Sequence, residues 1–305
     1  MSAHLQRLIQ TSTLPLQITL SPAASRSYTS TPPYLTHFPR LSHLPLLLPR
    51  LHAFFAPHLI DPALARDSEA WFEYQGVVLK WGWAVGLLFD LHGAAAAGVG
   101  GEGTEGFQGA WELTLHYGDF PEERLVRLDD GGRVVWDMFV NAVKEADFVR
   151  NGSARAVMGL SLGDSEALWR GVREHDWDLF NSVNAKLLAP PGLTVKHVPI
   201  KFYLPAAAST ASTSQTLPEG SEPQPGHIRV VQALVPLQMP SKQPQTLGTA
   251  LNSVLPGIFP SRRAPLLAQP VLHGAVVPMG ANLGELGRVA GFADGFLHVV
   301  VAMLG

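Results

Sequence analysis

The chain has no cysteine among its 305 residues. That excludes disulfides, thiolate-bound zinc, iron–sulfur ligation and a cysteine nucleophile, and it suits a cytoplasmic protein. Charge is also scarce. Asp, Glu, Lys and Arg make up 15% of the chain, against about 25% in an average soluble domain. The formal net charge of −3 gives no basic field for nucleic acid and no strong attraction to lipid beyond a local patch. No long apolar run is present: the most apolar stretch, 81–101, contains Asp90, His92 and many glycines, so no membrane span is expected. The 12 histidines contain no H-E-x-x-H or H-x-H pattern. Pairs such as His43 and His52 have the wrong helical spacing for shared ligation, and no metal or other cofactor is expected.

The first 60 residues hold no Asp or Glu, only Arg7, Arg26, Arg40 and Arg50 among many Ser and Thr. That composition matches a mitochondrial transit peptide. Residues 14–20, however, alternate with period two, as a strand does and an amphipathic targeting helix does not. No uninterrupted apolar segment suits secretion either.

What is present is ample apolar material, 46% of the chain, and abundant Gly (29) and Pro (25), which imply many turns and long loops. The length suggests two or three domains at about 150 residues each. With so little charge, the partly apolar surface points to interfaces.

Along the first third, strands are expected at 14–20, 71–76, 77–81 and 111–117, with the second and third folded at Gly76. A helix is expected within 46–55, entered through Pro49, and a short apolar helix at 85–91. Residues 93–106 read as a mobile Gly/Ala loop. The middle third changes period. Val135, Met138, Phe139, Ala142, Val143, Ala146 and Val149 form one apolar stripe, stopped by Asn151-Gly152. Two further helices are expected, one capped by Asp164 or Ser165 and running to Arg173, the other at 176–188. Short helices of this kind cannot bury their stripes alone and should pack on their neighbours. The last third reads as strands at 194–203, 227–235, 271–277 and 296–303, with a helix at 246–254 and a short element at 283–290. A Pro/Ser/Thr/Ala run at 204–226 reads as disordered. The order strand, strand, helix, strand, short element, strand is that of a ubiquitin-like β-grasp.

Three motifs invite chemistry. Residues 98–103 spell a dinucleotide fingerprint, but no strand precedes it and no helix follows, so a loop is the better reading. Gly159-Leu160-Ser161-Leu162-Gly163 fits a nucleophile elbow, with Asp294 and His298 following in the chain order of a serine hydrolase. The elbow needs a buried strand before it; residues 154–158 are short and follow a helix stop, so a capping turn is favoured, and His298 is expected to face solvent or a neighbouring strand. Glu122-Glu123 and Asp129-Asp130 read respectively as charge at a helix start and as a turn. The third is Lys144, one of only six lysines, which lies opposite the apolar stripe of its helix and is expected to stand in water. A lysine amine is protonated at neutral pH, so acyl transfer to it requires an outside enzyme to deliver an activated thioester and remove the proton.

Trp71-Phe72-Glu73-Tyr74-Gln75-Gly76, Leu79-Lys80-Trp81, Val85-Gly86-Leu87-Leu88-Phe89-Asp90-Leu91 and Val143-Lys144-Glu145-Ala146-Asp147 closely resemble the autophagy protein 5 family. So do His197-Val198-Pro199-Ile200-Lys201, Gln245-Thr246-Leu247-Gly248 and Val271-Leu272-His273-Gly274, in the family's order. Pro39-Arg40-Leu41-Ser42 looks most like a filamentous-fungal member. One departure stands out: residues 9–15 lack the aromatic and the Gly with which the family's first strand usually opens. The resemblance implies an α+β chain with two ubiquitin-like domains, 1–118 and 191–305, flanking a helix-rich domain at 119–190. It implies that Lys144 accepts the C-terminal glycine of the ubiquitin-like autophagy protein 12 from activating and conjugating enzymes, and that a groove binds a helix of the coiled-coil autophagy protein 16. The complex would promote lipidation of autophagy protein 8 at the preautophagosomal membrane, as a peripheral scaffold with no catalytic residue of its own. Two other readings remain: a serine hydrolase using Ser161, and a ubiquitin-like interaction module that is never conjugated.

Overall fold

The computed structural model describes residues 2–27, 31–93, 109–189, 195–205 and 227–304. The fingerprint-like string at 98–103, the remainder of that glycine loop beyond residue 93, and residues 206–226 of the Pro/Ser/Thr/Ala run lie outside the described residues.

Alternation builds the first sheet. In β1 (Thr13–Leu20) Leu14, Leu16, Ile18 and Leu20 are buried and their neighbours are not. It pairs antiparallel with β2 (Tyr34–Pro39) and parallel with β5 (Trp111–Tyr117). β3 (Ala70–Tyr74) and β4 (Val77–Val78) complete the order β2-β1-β5-β3-β4. Helix α2 (Leu48–Phe55), which has Pro49 in its first turn, buries Leu48, Leu51 and Phe55 beneath this sheet. Helix α3 (Val85–Leu88) is wholly buried.

The second sheet repeats the arrangement as β7-β6-β10-β8-β9, with a parallel β6–β10 pair at its centre. Its strands are β6 (His197–Pro205), β7 (Ile228–Pro236), β8 (Ala268–Leu272), β9 (Ala275–Val276) and β10 (Leu297–Met303). Helix α8 (Leu247–Val254) buries Leu247, Ala250 and Leu251 on it and begins with a Thr246/Thr249 capping box. Helix α9 (Leu283–Val289) is the shorter element before β10. Parallel central strands flanked by antiparallel hairpins with a helix on one face define a β-grasp, present here twice.

Between the sheets stand α4 (Arg133–Asn151), α5 (Arg155–Met158), α6 (Leu162–Glu174) and α7 (Trp177–Leu188). Phe139, Val143, Leu168, Val172, Phe180 and Val183 form their shared core. The units are not independent. Leu41, Ala84, Leu87 and Leu91 of the first unit are part of the second unit's core. Burial of each leucine is worth about 1.5–3 kcal/mol, enough to hold the two units as one body.

Several expectations needed correction. Residues 2–11, unassigned from the sequence, form helix α1 (Ser2–Thr11). β2 was hidden in polar, Pro-punctuated sequence. The expected strand at 271–277 is a hairpin turned at His273-Gly274, and the expected strand at 77–81 is reduced to Val77–Val78, with one further bond from Leu79 N to Phe72 O (3.0 Å). Asp129-Asp130 form the expected turn, which also starts α4, whereas Glu122-Glu123 begin no helix. Asp129 accepts from the N–H groups of Arg133 (3.1 Å) and Val134 (2.8 Å) at the start of α4, while Glu122 sits in a turn and pairs with Arg127 (3.0 Å). The cap of α6 is Ser161, in keeping with the capping-turn reading of 159–163, and not Asp164 or Ser165. β6 does not alternate but is buried on both faces over most of its length, because α4 covers its outer side.

Candidate acceptor site and inter-unit cleft

Helix α4 carries the lysine singled out above. It is pinned at both ends: Asp129 satisfies its first amides, and Gly152, in the left-handed region (φ 76°), closes its last turn by donating to Phe148 O (2.7 Å). Val135, Phe139, Val143, Ala146 and Val149 face inward. Lys144 is exposed and, among the described residues, has no ion-pair or hydrogen-bond partner.

The three residues after it fix the helix in place. Glu145 turns to the second sheet, where its Oε2 accepts from Lys201 Nζ (2.8 Å). Ala146 is buried against Phe296 and beside Gly295. Asp147 is fully buried, and its carboxylate accepts from Asn151 Nδ2 (2.6 Å) and Val157 N (3.0 Å), tying α4 to α5. In Lys144-Glu145-Ala146-Asp147, three residues therefore anchor the helix and one points outward. Phe148, the next residue on the outward face, is 60% exposed.

The other five lysines are placed differently. Lys186 pairs with Asp164 (2.9 Å) and Lys201 with Glu145; Lys80 Nζ lies 5.0 Å from the ring centroid of Trp83. Lys196 packs over Gly152, and Lys242 is exposed in a turn with positive φ (63°).

Ser161 does not meet His298 and Asp294 in a catalytic arrangement. Its hydroxyl accepts from Asp164 N (3.0 Å) as the α6 cap. His298 is buried and faces the neighbouring strand β6, one of its two expected surroundings, rather than solvent. Both its ring nitrogens are engaged, Nδ1 with Tyr203 Oη (2.7 Å) and Nε2 with Asp294 Oδ2 (2.8 Å). Burial would raise the Asp294 carboxyl, but the charge and hydrogen bond of His298 and the Phe296 N–H hold it below the usual range. Burial pushes the Tyr203 hydroxyl upward. These three residues form a structural knot under the second sheet. Among the described residues no group of three His, Asp or Glu side chains could hold a metal.

Two features escaped sequence reasoning. The first is a buried clamp. Arg40 donates through Nη2 to Asp90 Oδ1, and Gly274 N donates to Asp90 Oδ2 (2.8 Å), so an arginine and an aspartate of the first unit hold the β8–β9 turn of the second. Three of the resemblance-bearing segments thus converge on one contact. The second is a cleft where the three regions meet, lined by Ile9 and Gln10 of α1, Trp177 and Asn184 of α7, and Arg288 and Phe292 of the second unit. Gln10 and Asn181 exchange reciprocal amide hydrogen bonds (2.9 and 3.1 Å) and seat α1 on α7. Leu5, Leu8 and Ile9 at helical spacing were the sequence signal for α1.

The fold therefore defines a class: two ubiquitin-like units clasped around a helical bundle, an α+β platform with a cleft at its junction. Family models match each part in turn: "Autophagy protein ATG5, UblA domain" over 9–117, "alpha-helical bundle region" over 132–190 and "UblB domain" over 197–301. The chain is 45% identical to "Autophagy protein 5" of Aspergillus terreus, covering 99% of this chain and 97% of that one. It is 43% identical to the protein of the same name in Phaeosphaeria nodorum, covering 100% and 98%. The crystal structure of Kluyveromyces marxianus Atg5 shares the fold at a TM-score of 0.72 and 23% identity, covering 98% of this chain and 99% of that one. The chain belongs to the autophagy protein 5 family and takes part in autophagy. No helix among the described residues is long and apolar enough to cross a membrane.

Proposed function

We propose that the protein is a conjugation scaffold whose Lys144 receives the C-terminal glycine of the ubiquitin-like autophagy protein 12. The amine attacks the thioester carbonyl on a conjugating enzyme, a C–N bond forms as the C–S bond breaks, and a thiolate leaves. The amine's proton goes to a base that the enzyme supplies, since the adjacent Glu145 is already paired with Lys201. The observation that carries this reading is the pairing of an exposed, unpartnered lysine with a helix fixed by the three residues that follow it. An acceptor held at a constant place and angle reduces the entropic cost of meeting a large enzyme. The junction of α1, α7 and the second unit, with its apolar rings beside amides and Arg288, is the surface along which an amphipathic helix of autophagy protein 16 would lie; the cleft itself encloses only about 20 Å³, so the helix would rest across it and not within it. The assembly then works as a peripheral, cytoplasmic-side scaffold at the preautophagosomal membrane, promoting lipidation of autophagy protein 8 without a covalent intermediate of its own.

The test is Lys144→Arg, which keeps charge and helix propensity but cannot form the isopeptide bond. In a reconstituted reaction the conjugate is expected to disappear while the variant's thermal transition stays unchanged. Conjugate at wild-type yield would refute the assignment. Intact mass of the cellular protein separates this from a module that is never conjugated.

A further inference from the structure

Each sheet ends in two edge strands, and the four are not protected alike. β4 and β9 are two residues long, and β2 has six, entered through Pro32-Pro33. β7 has nine. It pairs with β6 along its whole length, from Ile228 against Pro205 to Pro236 against His197, and among the described residues no strand lies on its other side. Long edges are normally blunted by lysines, prolines or bulges. β7 has no lysine, its one proline is its last residue, and its one charge is Arg229.

One side of that edge is apolar. Ile228, Val230, Gln232 and Leu234 alternate onto one face, and Val230 and Leu234 are 42% and 65% exposed. The register sets this row beside Tyr203, Lys201 and Pro199 of β6. Trp83 of the first unit meets Tyr203 edge to face, with ring centroids 5.3 Å apart. At the start of the row, Ile228 joins Trp83, Val78 and Leu88 around a cavity of about 270 Å³ that both units line.

The surroundings are basic. Lys80, Arg124 and the exposed His227 line the same cavity, against the single carboxylate of Glu123. Glu145, on the helix that covers β6, is neutralised by Lys201 (2.8 Å). The described part of the second unit, 195–205 and 227–304, holds seven Lys/Arg against two Asp/Glu, a net of +5. Of those two carboxylates, Asp294 is engaged with His298 and Glu285 lies in the first turn of α9.

We propose that the outer edge of β7 receives an acidic, extended segment of a partner protein, which adds to the five-stranded second sheet as one more strand. The segment's backbone pairs with the outward-pointing N–H and C=O groups of β7, and its apolar side chains at alternate positions cover Val230 and Leu234. Its carboxylates lie toward Lys80, Arg124 and His227 at the cavity. Backbone pairing supplies affinity for any extended chain, while the exposed valine and leucine and the basic cavity supply the choice among them. β7 is already held straight by β6, so it spends little ordering entropy on contact. None of this depends on the role of Lys144.

Fluorescence anisotropy on the full chain tests this with a labelled synthetic peptide of alternating valine and threonine flanked by glutamates. A copy with lysines in place of the glutamates is expected to bind about tenfold more weakly. Two further copies carry N-methyl groups on alternate amides, one on each set. Only one edge of an added strand pairs with β7, so one of these copies should lose binding and the other keep it. Val230→Glu with Leu234→Glu should weaken binding about tenfold, and Lys80→Glu about fivefold, with thermal transitions unchanged. The same kind of change on the other sheet's edge, Leu35→Glu in β2, should leave binding as in the wild type. No binding below about 1 mM, equal binding of the acidic and basic peptides, equal loss from both methylated copies, or wild-type affinity in the β7 variant would overturn the proposal. Lys144→Arg should bind the peptide as the wild type does, so failure here and failure of the acceptor assignment are read separately.

Discussion

Asp90 is the most informative residue to remove. It lies buried and bridges the Arg40 guanidinium and the Gly274 amide across the junction of the two units. Burial pushes its carboxyl up, opposed by the charge and hydrogen bond of Arg40 and by the Gly274 N–H. The pair is thus held under a desolvation load, and the energetic consequence depends on how it is broken. Asp90→Ala strands a buried guanidinium, at a cost of about 3–5 kcal/mol. It also leaves the Gly274 N–H without its acceptor, which overlaps with that figure. At about 2–4 °C per kcal/mol, the thermal midpoint should fall on the order of 10 °C. The double replacement Arg40→Met with Asp90→Leu removes both charges and refills the volume, and should cost less than Asp90→Ala alone. Differential scanning calorimetry on the full chain reads both. Loss of the clamp should also broaden the transition, since two units held less tightly unfold less cooperatively. An Asp90→Ala variant within about 1 kcal/mol of wild type, or an apolar pair as damaging as the sum of the single changes, would show that the apolar seam of Leu41, Leu87 and Leu91 holds the units unaided.

Two further predictions follow from buried groups and close approaches. Burial lowers both His92 and His273 to about 4, so each is neutral in the folded chain and protonates near 6.5 once unfolded. The unfolded state then binds more protons between pH 6.5 and 4, so stability is fully present above that window and is lost as pH falls through it. Melting should drop steeply from pH 7 to pH 5, and His273→Gln should flatten that slope; a parallel slope in the variant would exclude His273 as a source. Gly248→Ala places a Cβ 2.1 Å from the Arg262 carbonyl and 2.9 Å from that of Met279, so α8 or the 260–267 loop must shift. A loss of about 1–3 kcal/mol in urea unfolding is expected, and a neutral result would mean that the loop is freer to move than this close approach implies.

The parts of the fold that were legible were those whose signal lies within one element. The alternation of β1 and the stripe of α4 each come from residues a few positions apart, and the outward side of α4 followed from its own inward side. What could not be read needed a partner remote in sequence. Glu145 finds Lys201 56 residues away, and Asp90 finds Gly274 184 residues away. Neither pairing is encoded in local spacing; it exists only once two sheets and a bundle have been assembled. His298 shows the same limit. Its alternating strand leaves solvent or a neighbouring strand as its surroundings; it meets Tyr203 of the neighbouring strand β6, and Leu297 to Val301 are all buried, with Trp83 of the first unit packed on Tyr203. Helix α1 carries a weak local signal, since Leu5, Leu8 and Ile9 occupy barely two turns beside the stronger alternation that begins at residue 14.

The two β-grasp units offer an internal control for what an interface demands of a turn. Each has a two-residue hairpin at the same place in its sheet, Gln75-Gly76 between β3 and β4 and His273-Gly274 between β8 and β9. All four residues have positive φ: 49° and 82° in the first, 53° and 80° in the second. This is the geometry of the tight turn that matches the strands' twist. Their surroundings differ. A Cβ on Gly76 would meet nothing within 4 Å, whereas one on Gly274 would lie 3.1 Å from the Arg40 guanidinium. In the second turn His273 also donates through Nε2 to Ala290 O (2.9 Å) and stacks on Phe292 at 4.2 Å. Gly76→Ala should therefore cost only the left-handed penalty, about 1–2 kcal/mol. Gly274→Ala should cost that plus displacement of the clamp, and the excess should vanish in an Arg40→Met, Asp90→Leu background where the guanidinium is gone. If the two alanine variants melt alike in the wild-type background, the second hairpin is a bare turn like the first, and the junction draws its strength from apolar packing alone.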